Sequence, residues 1–265
     1  MTDIPMIPYN PLKGPSGRDH FRYRFESIPV PLRLAGVIAV LPLYFYLLPD
    51  VLMPRPMIYA AKLLGITDAA RQTIYFNLVF QIIMIILLVG LFHSVLYQSF
   101  RDLVKFGPAN FFTWWLLGYA AFFAVNIAAS YATISVNGEV SQSINQQLIE
   151  IMASADPSSM IFIAVFLAPV VEELVFRVII FRTARPLGRV AACIISAAAF
   201  GFTHVSASVL SGDLHELLMM IPYVAMGLSL SIIYETRRNI LIPICIHMTQ
   251  NALSFLILLL LGSYL

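Results

Sequence analysis

The sequence predicts an all-α, polytopic transmembrane helical bundle of about seven spans, with an eighth possible, and a cytoplasmic N-terminus. Three observations carry that reading. Of 265 residues 60% are hydrophobic and 11% charged, at a mean hydropathy of +0.85, whereas a soluble domain needs about 25% charged residues to cover its surface. The apolar residues gather in runs of about 20, the length of a membrane helix, at 34–53, 73–95, 111–133, 160–181, 190–208, 217–234 and 240–262. These runs do not alternate and are about twice as long as a membrane strand, so in lipid each must close its own backbone hydrogen bonds as a helix.

Residues 1–30 read as a cytoplasmic tail. They hold Pro5, Pro8, Pro11 and Pro15 and the cations Lys13, Arg18, Arg22 and Arg24, without the early apolar core of a cleaved signal. Phe21, Tyr23 and Phe25, interleaved with arginines, suit either a membrane-surface segment or a disordered one. Residues 31–155 supply spans one to three and 156–265 spans four to seven, the two parts forming one domain. With the N-terminus inside, thirteen Lys and Arg fall on inner segments and three (Arg55, Lys62 and Arg71) on outer ones, the bias expected of an N-in, C-out topology. All three outer cations lie in 54–72, where an interfacial or re-entrant helix could hide and an eighth crossing would reverse the parity. The loop from 134 to 158 is acidic. Trp114 and Trp115 read as interfacial anchors, and Cys193 and Cys245 as small hydrophobes. A net charge of +2 argues against a nucleic-acid partner.

Ionisable groups inside a bilayer are costly and call for a reason. Span four reads SSMIFIAVFLAPVVEELVFRVIIFR, which sets Glu172 and Glu173 about 15 Å from its inner end at 1.5 Å per residue. Glu173 and Arg177 are four apart with the acid first, the order that favours an ion pair. Glu172 points about 100° away from Glu173 and needs a partner from another helix or from water. Span five aligns Phe200 with His204, and span seven aligns His247 with Asn251, each pair one turn apart on a single face. Joined, spans four, five and seven would enclose a Glu, two His and an Asn in one polar cavity. A carboxylate beside an imidazole can deprotonate water, and a second imidazole with an amide can stabilise an oxyanion. Two His and a carboxylate can equally hold a zinc ion; the residues leave both open.

Other hydrolytic signatures are missing. The string nearest to HExxH, His215 to Met219, lacks its second His. No GxSxG occurs, Ser206 and Ser208 have no evident base, and no aspartate pair lies within a span. His93, Asn77, Gln81 and Asn126 read as interhelical hydrogen-bond formers, and neither His20 nor His215 is given a role.

The ordered motifs Glu172-Glu173-x-x-x-Arg177, Phe200-x-x-x-His204 and His247-x-x-x-Asn251 resemble those of the glutamate-type intramembrane endopeptidases, the CPBP or Abi family. That family includes type II CAAX prenyl endopeptidases and bacteriocin-processing or immunity proteins. The likeness covers about residues 155 to 260, with Gly227 and the approach NILIPICIH, and none of the first 150 residues. It implies that Glu172 and His204 activate water, that His247 and Asn251 stabilise the oxyanion, that Glu173 and Arg177 support them, and that Phe200 packs beneath His204. For cofactors it leaves none or a divalent metal such as zinc, with Glu172, His204 and His247 as the ligands if there is one.

The leading expectation is therefore a multi-pass membrane protein, in the plasma membrane if bacterial, that hydrolyses a membrane-associated peptide or protein, lipidated or bacteriocin-like. Besides the lipid bilayer and that substrate no partner is indicated, and the oligomeric state is open. The alternatives are a non-cleaving scaffold or immunity protein of the same fold, and a proton-coupled transporter, the latter disfavoured by the lack of internal repeats.

Overall fold

A computed structural model describes residues 28–138 and 141–261. All but the end of the expected tail lies outside the described residues. Nine helices follow in order, with no strand among the described residues: α1 Val30–Leu52, α2 Pro54–Leu63, α3 Ala69–Phe106, α4 Pro108–Asn137, α5 Ile144–Ala155, α6 over 157–184, α7 Arg189–Leu210, α8 Glu216–Arg237 and α9 Leu241–Leu261. Six of them (α1, α3, α4, α7, α8 and α9) are long and apolar enough to cross a membrane. The fourth apolar run is α6, a continuous helix in which α-turns alternate with wider π-type turns.

Two short helices refine the expected layout. The 54–72 stretch holds α2, whose 10 residues reach about 15 Å, half of the roughly 30 Å hydrocarbon core. The segment read as an acidic loop holds α5, 12 residues long. Its start carries a capping sequence, since the Ser143 hydroxyl accepts from the Gln146 N–H at 3.1 Å and a Gln follows three positions after the Ser. Helix α3 outruns its expected span because no breaker intervenes before Gly107 and Pro108, and it kinks at Phe92.

Helix α6 forms the axis of the bundle. A surface helix carries one apolar stripe, but from Val171 to Phe181 nearly every side chain of α6 is buried, among them Leu174, Val175, Phe176 and Ile179. Around it lie α1, α3, α7 and α9, with α8 behind α7. In lipid, where apolar burial drives helix association weakly, close packing at small residues takes over. A Cβ on Gly227 of α8 would come within 3.0 Å of the Ala197 Cα on α7, and one on Gly201 within 2.5 Å of a Val224 methyl. The two glycines let α7 and α8 lie almost backbone to backbone. At the opposite end from α5, Arg185 binds Glu235 through two hydrogen bonds of 3.0 and 2.9 Å, and Asn239 donates to the Ser99 carbonyl at 2.9 Å.

The tryptophans of α4 contact other helices, and the polar residues of α3 and α4 find partners different from those expected. Trp114 is stacked by the Arg237 guanidinium, and Trp115 donates its indole N–H to the Thr249 hydroxyl at 3.1 Å; both are tied to the protein. Asn77, His93 and Asn126 bond to carbonyls of their own helix at Thr73, Gly90 and Phe122, because a carbonyl one turn back is always within reach of such side chains. Gln81 is 8% exposed and its Oε1 has no partner. Cys193 is buried, Cys245 partly so, and both are free thiols.

Replacing Gly227 with Val should force α7 and α8 apart at a cost of about 1–3 kcal/mol, read as a lower thermal midpoint in detergent. Asp156 caps α6, accepting from the Ser159 hydroxyl at 2.7 Å and its N–H at 3.1 Å; these bonds hold its carboxyl below the usual range. A lowered folded pKa gives stability that is present above the unfolded value of about 3.9 and lost as pH falls through the folded one. Asp156→Ala should therefore lower the midpoint at pH 7, by about 1 kcal/mol for a lost cap, and the gap from the parent should narrow below about pH 4.

Candidate active site

The site begins with the two adjacent acids on the buried axis. Glu173 is 0% exposed and lies 3.1 Å from the Arg177 Nε, as the four-residue spacing predicts. Its other oxygen accepts from His247 Nδ1 at 3.1 Å, a link from α6 to α9 that the sequence did not announce. Arg177, equally buried, donates to the Gly227 carbonyl at 3.2 Å and sets its guanidinium 5.0 Å from the centre of the Phe200 ring. One acid thus orders an arginine, an imidazole and, through the arginine, α8.

Glu172 takes the other direction. Its side chain is 15% exposed and stands 3.8 Å from His247 Nε2, too far for a hydrogen bond, and its Oε2 has no hydrogen-bond partner. His247 therefore sits between the two carboxylates with its Nδ1 committed to Glu173 and its Nε2 facing Glu172. The two acids take different partners, as the helix angles predict, although one imidazole lies beside both.

His204 is held from below and from the side. Its Nδ1 bonds to the Phe200 carbonyl at 2.8 Å, and since a carbonyl only accepts, Nδ1 carries the proton and a neutral ring keeps the Nε2 lone pair. Phe200 packs under it, ring centres 4.6 Å apart, and also meets His247 edge-on at 5.8 Å, so one phenyl separates two imidazoles. Tyr223 of α8 stacks on the other face of His204 at 4.4 Å and 19°. The Tyr223 hydroxyl shares a 2.8 Å hydrogen bond with Ser143 and accepts one of 3.4 Å from Asn145, which ties α5 to the ring beside His204. Glu216, the first residue of α8, is 3% exposed and accepts the Ile144 N–H at 3.1 Å, pinning the start of α5. These α5 contacts were missed; the capping pair Ser143 and Gln146 was their one local signal.

Asn251 stands on α9 one turn beyond His247, and its amide donates to the Ala164 carbonyl on α6 at 2.8 Å. The oxygen is free for a local reason. In the π-type turn over Phe162–Leu167 the Ala168 N–H reaches back five residues to Ile163. The next donor in that register would belong to Pro169, which has none. Asn251 takes up the orphaned acceptor and keeps a second N–H and its Oδ1 for other partners.

Glu172, His204, His247 and Asn251 all line one cavity of about 580 Å³, walled also by α4, α5 and α8. Glu173, Arg177 and Phe200 stand behind its wall. All seven residues singled out in the sequence thus converge, four on the cavity and three behind it. Among the described residues no three His, Cys, Asp or Glu side chains converge as a metal-ligand set, so Glu172, His204 and His247 do not form one in this arrangement.

Residues 154–253 match the type II CAAX prenyl endopeptidase Rce1-like family. This stretch runs from the end of α5 past Asn251 and contains all three motifs. Among characterised proteins the chain is 32% identical over 142 residues to the membrane-embedded CAAX protease MroQ of Staphylococcus aureus (strain USA300), covering 52% of this chain and 54% of that protein. The chain thus spans about half the length of this CAAX protease relative. No solved structure matches it. The CAAX-endopeptidase-like stretch and the apolar helices together make the protein a multi-pass integral membrane protein.

Breaking the buried Glu173–Arg177 pair leaves an uncompensated charge. Arg177→Met should cost about 3–5 kcal/mol and lower the thermal midpoint of purified protein well below that of Arg185→Met at the edge of the bundle.

Proposed function

We propose that the protein is an intramembrane endopeptidase that hydrolyses a peptide bond in a membrane-associated peptide or protein. One observation carries the reading: the unpaired carboxylate oxygen of Glu172 faces a cavity that it shares with two imidazoles whose Nδ1 atoms are already committed. The match of residues 154–253 to the type II CAAX prenyl endopeptidase family and the likeness to a CAAX protease support it.

The charges suggest how the site holds its proton. Glu172, Glu173 and Arg177 amount to two acids and one fixed cation, and an uncompensated buried charge is expensive. One proton, on His247 or on Glu172, neutralises the group. In the proposed reaction Glu172, assisted by the Nε2 lone pair of His204, takes a proton from a cavity water as its oxygen bonds to the scissile carbonyl carbon. The carbonyl oxygen becomes an oxyanion, stabilised by His247, which can donate from Nε2 only as an imidazolium because Nδ1 serves Glu173, and by the spare N–H of Asn251. Collapse breaks the C–N bond, the proton on Glu172 passes to the departing amine, and a carboxylic acid is released. Glu173 and Arg177 position His247 without touching the substrate.

A substrate lipidated near its end, or a bacteriocin-like peptide, is consistent with a cavity inside a bundle of apolar helices. A non-cleaving scaffold would need the same cavity but not the free carboxylate, and a transporter would not need the paired imidazole anchors. Glu172→Gln keeps the volume and removes the base. Comparison of membrane proteomes from cells with the parent and the Glu172→Gln protein should reveal new peptide termini only with the parent, their yield falling by at least about 10²-fold in the variant. Unchanged termini with equal folded protein would overturn the endopeptidase reading.

A further inference from the structure

The cavity wall facing the Glu and His residues contains polar groups that the catalytic reading does not use. Helix α4 is apolar over much of its surface, with Phe123, Val125, Ile127 and Tyr131 exposed. One face differs, following positions 115, 119, 122, 126, 130 and 133, three and four residues apart. Along its first half this face is zipped to α9 and α8. Trp115 bonds to Thr249, Tyr119 donates to Gln250 Oε1 at 3.3 Å, and Phe122 is fully buried against Ile246 and Leu230. From Asn126 onward the same face opens onto the cavity, and there it turns polar, with Asn126, Ser130 and Thr133. Across from them α9 presents Gln250 and Ser254, whose side chains bond to each other at 3.3 Å.

Back-bonding to their own helix uses only one donor of Asn126 and one of Thr133. The Asn126 carbonyl oxygen and second N–H, the Ser130 hydroxyl and the free lone pairs of Thr133 and Ser254 remain. Polar groups that face a cavity among apolar helices are costly unless something pairs with them. A peptide about to be hydrolysed has the reciprocal problem. Its scissile bond must leave any helix, and each N–H and C=O so released lacks a partner in hydrocarbon. From Asn126 to Thr133 the wall rises about 10 Å, the length of about three residues of extended chain.

Resting on the endopeptidase reading, we propose that Asn126, Ser130 and Thr133 on α4, with Gln250 and Ser254 on α9, form an extended-peptide subsite. This ladder of amides and hydroxyls pairs with the substrate's unwound main chain beside the bond attacked by the water that Glu172 activates. The ligand is polypeptide backbone in extended form, and the ladder accepts it without reading side chains, as main-chain pairing does in strand addition. The apolar remainder of the cavity, including Ile134, Phe255 and Leu258, is left to the side chains.

The subsite is tested by photocrosslinking with the full chain in its membrane. Ile134 is replaced by p-benzoylphenylalanine in the Glu172→Gln protein, which retains what it would otherwise cut, and crosslinked peptides are identified by mass spectrometry. Crosslinks to segments of other membrane-associated polypeptides are expected, falling at least tenfold when Ser130→Ala and Ser254→Ala are combined, and again with Asn126→Leu alone. Serine-to-alanine changes at two exposed positions preserve the helices, and thermal midpoints matching the parent establish that the bundle is intact. Crosslinks to lipid only, or polypeptide crosslinks unaffected by the substitutions, overturn the subsite. The two readings separate cleanly. Glu172-dependent termini that persist at full yield in the Ser130→Ala, Ser254→Ala protein refute the ladder and leave the endopeptidase standing. Ladder-dependent crosslinks without any Glu172-dependent termini do the reverse.

Discussion

The buried carboxylate of Glu173 is the constraint on which the rest of this structure depends. A carboxylate with no solvent exposure is tolerable only if cations or strong donors surround it, and here Arg177 and His247 do so from two helices. Satisfying that one group brings α9 against α6, fixes the tautomer of His247 and aims its other nitrogen at Glu172. Arg177 extends the arrangement to α8 through the Gly227 carbonyl, which is reachable because Gly227 has no side chain to hold α7 and α8 apart. The neighbouring Glu172 is freed from structural duty because its sequence neighbour performs it.

Around that pair, the two imidazoles and the Asn251 amide that line the cavity are each held by contacts within the protein. His204 is gripped by its own helix carbonyl, by Phe200 below and by Tyr223 beside it; His247 is gripped by Glu173, and Asn251 by Ala164. Positioning of this kind belongs to sites whose geometry is set before the substrate arrives. Helix α5 is joined to the site through Tyr223 and to α8 through Glu216.

Much of this was legible in the sequence, and the parts that were not share a cause. Long apolar runs announced the spanning helices because in lipid the length of the run and its backbone chemistry leave no alternative. The four-residue spacing of Glu173 and Arg177 announced their pairing, and one-turn spacing aligned Phe200 with His204 and His247 with Asn251, because these are properties of a single helix. What escaped was tertiary. His247 meets Glu173 across 74 positions of sequence, and no periodicity encodes that. Asn77 and Asn126 looked like bridges between helices but bond within their own, a choice between two carbonyls of similar reach. Helix α5 was read as loop because it is short and follows a polar stretch, although Ser143 and Gln146 marked its start.

The missing N–H of Pro169 has a broader consequence. A proline in the middle of a membrane helix is usually discussed as a kink, yet here its effect is exported to another helix. It leaves one acceptor unclaimed on α6, and a side chain of α9 docks there. Were the imino acid exchanged for any ordinary amino acid, the new donor would compete with Asn251 for the same oxygen, and the last helix would lose a peg that sets its rotation about its own long axis. An atom that the chain lacks thus serves as an address for a helix some eighty positions downstream.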